Sequence, residues 1–221
     1  MNQTSNGIAL RLPTDDRHRL EVICAPVELA RGHQLQPHHG PADEAPIYFL
    51  ESATVSLWIE AKQDQASMAV ALIGREGMVA CSHLWPCNHS PWIANVLTPG
   101  LARVTTARQL RELISDSPNL VMAISEFLWQ QTQEIAQLSA RMLLGDIRTR
   151  LALWLHLMQH KAGRNTLPVT HDLLAKMLGT RRVSVTLVAG ELQAEGILTQ
   201  HRGEIEINDL QALARVAGLT A

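Results

Sequence analysis

Cysteine is scarce in this chain of 221 residues: Cys24, Cys81 and Cys87 are too few and too irregularly spaced for a disulfide framework, and they fit a reducing compartment. Long apolar runs are missing as well. The longest, such as 151–155, fall far short of the roughly 18 residues that span a bilayer, so no membrane partner is expected. Residues 1–12 offer no basic segment followed by an apolar one, which gives no sign of a secretory leader and makes the cytoplasm the expected location. Neither sign of charge dominates, with 19 Lys+Arg against 21 Asp+Glu, and 46% of residues are hydrophobic. Such a chain forms one large or two small domains with cores that need no staple. No repeat, Ser-His-Asp set, phosphate-cradling glycine loop or paired-carboxylate motif stands out, which removes the case for hydrolysis or phosphoryl transfer.

The charge balance hides an asymmetry. Residues 1–143 carry ten basic and fourteen acidic side chains, residues 144–221 nine and seven. A mildly basic C-terminal third beside an acidic remainder is compatible with a nucleic-acid contact surface.

Between residues 20 and 110, short apolar segments at 21–24, 45–50, 54–59, 67–73 and 92–97 are separated by Gly32, Gly40-Pro41, Gly74, Gly77 and Pro99-Gly100. Val55, Leu57 and Ile59 alternate with Thr54, Ser56 and Trp58, as in a half-buried strand. These spacings predict an antiparallel β-roll of about eight strands, preceded by a polar tail over 1–16. From 119 to 143 there is neither glycine nor proline, and the apolar spacing is helical. Ser117 can cap this helix and Pro118 fits its first position. Positions 120, 124, 127/128, 131, 135, 138 and 142 approach a period of 3.5, which reads as a parallel dimer seam; the alternative is a helix lying on its own β-roll. Gly145-Asp146 breaks the chain, and a second helix, 147–160, ends at 161–163 with basic residues near its C-terminus.

Residues 170–190 carry the most specific pattern, the spacing of a helix-turn-helix. Thr170 caps a first helix with Leu174, Ala175 and Leu178 on its inner face; Ala175 is small where a second helix crosses, and Gly179 supplies the turn. Val185 and Val188 pack back on the first helix. Arg181, Arg182, Ser184 and Thr186 are left near the N-terminus of the second, the end such motifs present to base edges. Arg182 suits bidentate bonding to guanine, whereas Thr170, Arg181, Ser184 and Thr186 could hold phosphates. Residues 196–208 read as a hairpin wing turning at Arg202-Gly203, followed by a helix from Asp209. The candidate DNA-binding set is Thr170, Thr180, Arg181, Arg182, Ser184, Val185, Thr186 and Arg202. A helix pair with an arginine-lined solvent face that binds nothing is the bland alternative.

Three blocks give the chain a resemblance to the Crp/Fnr family of bacterial transcription regulators over nearly its whole length: Leu29, Gly32 and Leu35 through Tyr48-Phe49 to Val55-Ser56; residues 73–78; and residues 174–186 with 202–209. The resemblance implies an α+β chain with an N-terminal antiparallel β-roll (a double-stranded β-helix) that senses an effector over 1–116, a long dimerisation helix over 117–143 and a winged helix-turn-helix over 144–221. It also implies a homodimer on a pseudo-palindromic operator, with double-stranded DNA and RNA polymerase as partners, and no enzyme. Departures matter too. Where many members have a glutamate after the arginine matching Arg182 and an arginine four residues further on, this chain has Val183 and Leu187. The usual glycine before Val-Ser is Ala53, and no arginine falls between Glu76 and Arg103. A cyclic phosphate would lack its guanidinium fork there, so cyclic nucleotide is not the expected effector; no cofactor is assigned and the effector is unknown.

Two other constellations compete. Cys81, His83, Cys87 and His89 place four potential metal ligands within nine residues, a zinc or copper chemistry that would make the roll a metal or redox sensor; an unliganded loop is the expected reading. The four-cysteine requirement of the family's iron–sulfur members is unmet. Gly32, His38, His39 and Glu44 partly mimic the metal motif of cupin barrel enzymes, but adjacent histidines on a strand point to opposite faces.

Overall fold

The computed structural model describes residues 5–35, 39–61, 66–85 and 92–219. The chain divides into two compact units, Met1–Leu57 with Ile73–Glu134, and Trp58–Leu72 with Ile135–Ala221.

The first unit opens with two helices, α1 (Gly7–Leu10) and α2 (Thr14–Ile23), which corrects both the expected polar tail and the strand at 21–24. Asn6 is fully buried. Its carboxamide oxygen accepts from the N–H groups of Ile8 and Ala9. Its nitrogen donates to the carbonyls of Leu50 and Gly77, each at 2.8 Å. One polar side chain thus starts a helix and ties it to the strands, satisfying groups that burial would otherwise strand. α2 carries Asp15 and Asp16 in its first turn, where the helix dipole favours carboxylates, and the chain turns extended only at β1 (Ala25–Leu29).

The other strands of the roll are β2 (Pro46–Leu50), β3 (Thr54–Ala61), β4 (Ala66–Ile73), β5 (Met78–Val79), β6 (Trp92–Thr98) and β7 (Gly100–Thr106). They form two sheets of order β1-β7-β2-β5 and β4-β3-β6. Pairing in the first is antiparallel, with Val27 opposite Ala102 and Tyr48 opposite both Val104 and Val79. This is the expected antiparallel fold with seven strands among the described residues, where about eight were expected. β3 is not half-exposed: Thr54, Val55, Ser56, Leu57 and Trp58 are all buried, so its alternation marks two covered faces rather than one wet one. A helix that the sequence reading missed, α3 (Ala107–Ser115), starts in a capping box, Thr106 and Gln109 each bonding the other's backbone.

α4 (Pro118–Leu144) begins where Ser117 Oγ accepts from the N–H of Leu120 at 3.2 Å. Leu120, Ala123, Ile124 and Phe127 are buried within the first unit. A Cβ on Gly77 would sit 2.1 Å from the Phe127 ring, so only glycine admits that ring. The N-terminal half of the expected dimer seam therefore covers the chain's own β-roll. On another side of α4 Met122 is 62% and Trp129 63% exposed.

In the second unit, Asp146 accepts from the N–H of Thr149 at 2.7 Å and starts α5 (Ile147–Ala162), whose Leu151, Trp154, Leu155 and Met158 form the core. The following elements are β8 (Thr166–Leu167), α6 (His171–Leu178), α7 (Arg182–Ala194), the hairpin β9 (Leu198–His201) with β10 (Glu204–Ile207), and α8 (Leu210–Val216). β8 adds a third strand beside β10. At the end of α8, the Arg141 guanidinium donates to the carbonyls of Ala217 and Gly218, holding a cation on the dipole's negative end.

Candidate nucleic-acid interface

Thr170 Oγ1 accepts from the N–H of Leu173 at 3.2 Å and starts α6. Leu174, Ala175, Met177 and Leu178 are buried, the face the spacing required. α6 ends at Gly179, whose φ of 59° no β-carbon favours, and the N–H of Thr180 closes the turn on the carbonyl of Ala175 at 2.9 Å. This turn launches α7, which buries Val185, Val188, Ala189 and Leu192.

The expected contact set then separates. Thr170, Arg181, Arg182 and Thr186 are exposed, while Thr180 and Ser184 are half-buried. Arg202 is exposed at the turn of the wing, where Gly203 adopts a φ of 82°. Val185 is the correction: it is fully buried in the interhelical core and has no surface for DNA. Nor are all the rest free to reorient. Arg182 lies 3.5 Å from Asp172. Thr186 Oγ1 donates to the carbonyl of Arg182 at 3.0 Å and sits 2.9 Å from His171 Nδ1. α6 thereby props the side chains that α7 presents.

Sequence reasoning missed three features. Lys176 is exposed on α6. Val183 is 78% and Leu187 65% exposed. Their signal was available: once Val185, Val188 and Leu192 are assigned inward, 183 and 187 must face out. Arg148 offsets part of the charge of two carboxylates at the far end of α7, reaching Glu191 at 3.6 Å and Glu195 at 2.6 Å. Among the described residues Lys176, Arg181 and Arg202 have no ion-pair partner.

The competing constellations fall only partly within the described residues. Cys81 and His83 lie in a short 3₁₀ turn, Cys81–Leu84, so they do not share a strand face; His83 is buried and its carbonyl accepts from Arg111. Cys87 and His89 lie outside the described residues, as does His38. Among the described residues no three His, Cys, Asp or Glu side chains converge as a metal site. Burial pushes the Cys81 thiol up, and it pushes the Cys24 thiol up to about 12 despite the nearby Arg103, which disfavours the thiolate that binds metal or reacts. His39 and Glu44 are exposed, Glu44 in a 3₁₀ turn, not directed into a barrel.

A capped helix pair, a glycine turn, a basic outer rim and a three-stranded wing define a winged helix-turn-helix domain. Residues 149–216 match the Crp-like helix-turn-helix domain family. Over 106 residues the chain is 31% identical to the transcriptional regulator SdrP of Thermus thermophilus, a match covering 45% of this chain and about half, 52%, of that protein. The fold is similar to that of TTHB099, a CRP-family transcriptional regulator from the same organism (TM-score 0.72, 19% identity, 87% of this chain and 96% of that one). It is similar also to FixK2 from Bradyrhizobium japonicum (TM-score 0.72, 13% identity, 90% and 100%). Residues 149–216 thus carry a Crp-like helix-turn-helix domain, and the fold of the chain is similar to that of solved Crp/Fnr regulators. Among the described residues no helix is long and apolar enough to cross a membrane.

Proposed function

We propose that this chain binds double-stranded DNA sequence-specifically as a homodimer, with α7 in the major groove, Arg202 of the wing at the backbone, and residues 1–116, 117–143 and 144–221 serving as sensor, dimer helix and DNA-binding part. The observation that carries the reading is the outer side of the helix pair: Lys176, Arg181 and Arg182 stand exposed around the first turn of α7, where a helix meets base edges and phosphates. Arg182 is the base reader, Asp172 holding it until guanine replaces the carboxylate. Met122 and Trp129 on α4 are uncovered, and a second copy of the helix would bury them. Two-fold symmetry then places two recognition helices on half-sites about 34 to 36 Å apart.

The β-roll senses a signal other than a cyclic nucleotide, or none. Its one arginine between Glu76 and Arg108, Arg103, is taken by Glu51 at 2.8 Å, leaving no free fork for a cyclic phosphate. Action is in the cytoplasm, with RNA polymerase as the downstream partner.

Selection of bound duplexes from a random pool tests the reading, run at one stated salt concentration with and without small-molecule extract. A two-fold symmetric motif is expected; enrichment only with extract identifies a ligand-dependent roll, and no motif under either condition overturns the reading.

A further inference from the structure

α7 does not present a polar ridge. With Val185, Val188, Ala189 and Leu192 buried, the line diametrically opposite is Val183, Leu187 and Gly190. Arg182 and Thr186 fall on one flank of that line, Ser184 and Glu191 on the other. The two most outward side chains of the recognition helix are therefore aliphatic.

The fold does not explain them. Neither side chain contributes to the core, and valine is no better than average as a helix former. Gly190 sharpens the point, because a Cβ there would meet nothing within 4 Å. The chain's own packing leaves room for alanine, yet the least helix-favouring residue short of proline occupies the position. Something outside the chain gains from a bare backbone there.

We propose that Val183 and Leu187 read thymine methyl groups in the operator half-site, and that Gly190 lets the groove edge approach the helix; this rests on the DNA-binding reading above. Charge selects the occupant. On the helix pair and in its ion pairs the cations Lys176, Arg181, Arg182 and Arg148 outnumber the carboxylates Asp172, Glu191 and Glu195, so a phosphate-lined groove meets a net positive surface. Within the major groove the thymine C5-methyl is the one apolar group on offer. Aliphatic side chains against guanine O6 and N7 or cytosine N4 would desolvate those groups without a partner. The arrangement thus favours thymine beneath the ridge and disfavours G·C there, while Arg182 takes guanine at the flank.

The test uses the full chain and the duplex selected above, at one salt concentration. Each thymine of a half-site is replaced in turn by deoxyuridine, which removes only the methyl. The wild type is expected to lose about fourfold in affinity at one or two positions, the worth of a buried methyl. Val183→Ala should abolish the loss at one of them and Leu187→Ala at the other. Both positions are exposed, and unchanged melting confirms that the variants fold. Gly190→Ala should raise the melting temperature yet weaken specific binding, a pairing that a purely structural glycine cannot give. A selected site whose affinity is indifferent to every deoxyuridine overturns the proposal while leaving DNA binding intact, as does a methyl effect that survives both alanine variants. In that case the ridge serves a protein partner. Failure to select any site overturns both readings.

Discussion

α4 and α7 both leave large aliphatic or aromatic side chains in water, but in different company. Around Met122 and Trp129 on α4, Arg11 pairs with Glu126 and bonds Gln130, which spends that cation within the chain. Val183 and Leu187 on α7 follow Arg181 and Arg182 at the start of that helix, and Lys176 is exposed on α6. Apolar exposure alone marks an interface; the charges around it decide whether a second apolar helix or a polyanion fits. On the proposed reading, the same chain carries one surface for its own copy and one for DNA.

Within α4 the contrast can be broken two residues apart. Phe127→Ala empties the space between the helix and Gly77 and should cost about 3 to 5 kcal/mol of stability, measured by denaturant unfolding. Trp129→Ala should change stability within about 0.5 kcal/mol and instead shift sedimentation from dimer to monomer. If Trp129→Ala remains dimeric, this side of α4 is not the subunit contact.

On α7 the contrast is one of specificity. Arg182→Ala should reduce specific affinity by about 1 to 3 kcal/mol while changing non-specific binding little; equal losses on both would make Arg182 a phosphate ligand. Asp172→Asn should strengthen binding to any duplex modestly, since it removes a carboxylate 3.5 Å from that guanidinium.

Smaller effects come from the ends and core of α5. Asp146→Ala removes a cap and should cost about 1 kcal/mol. The N–H and hydroxyl of Thr149 hold the Asp146 carboxyl below its ordinary range. Its contribution is therefore complete above the ordinary aspartate range and fades as pH falls through the depressed value. Wild type and Asp146→Ala should converge in stability at low pH. His156 behaves alike in sign though in a different window: burial, and secondarily His160, lower its pKa. The unfolded chain then binds more protons below about pH 6.5, and stability declines as pH falls from there. His156→Gln should flatten melting temperature between pH 7 and 5; an unchanged slope removes His156 as the cause.

The helix-turn-helix was legible because each of its steps is local. Thr170, Ala175, Gly179 and Val185 each meet a requirement set within a few residues, and the hairpin turn at Arg202-Gly203 likewise. The long helix was legible too, from Ser117-Pro118 and the lack of glycine beyond it. Its facing was not, because a period of 3.5 says that one side is apolar and cannot say what covers it; Gly77, some fifty residues away, takes Phe127. α2 escaped notice for a similar reason. Leu20 is its one buried residue, too little to print a helical period, and the anchor that orders the start of the chain is the polar Asn6.

The amino-acid sequence alone determined the elements whose signals are short-range: caps, turns, the helix pair, the wing and the alternation of strands. Tertiary structure decided which apolar faces are spent inside the chain and which remain open, since burial depends on residues brought together across tens of positions. That decision removed Val185 from the DNA-facing set, turned half of the presumed dimer seam onto the β-roll, and left Met122, Trp129, Val183 and Leu187 as the surfaces still to be covered.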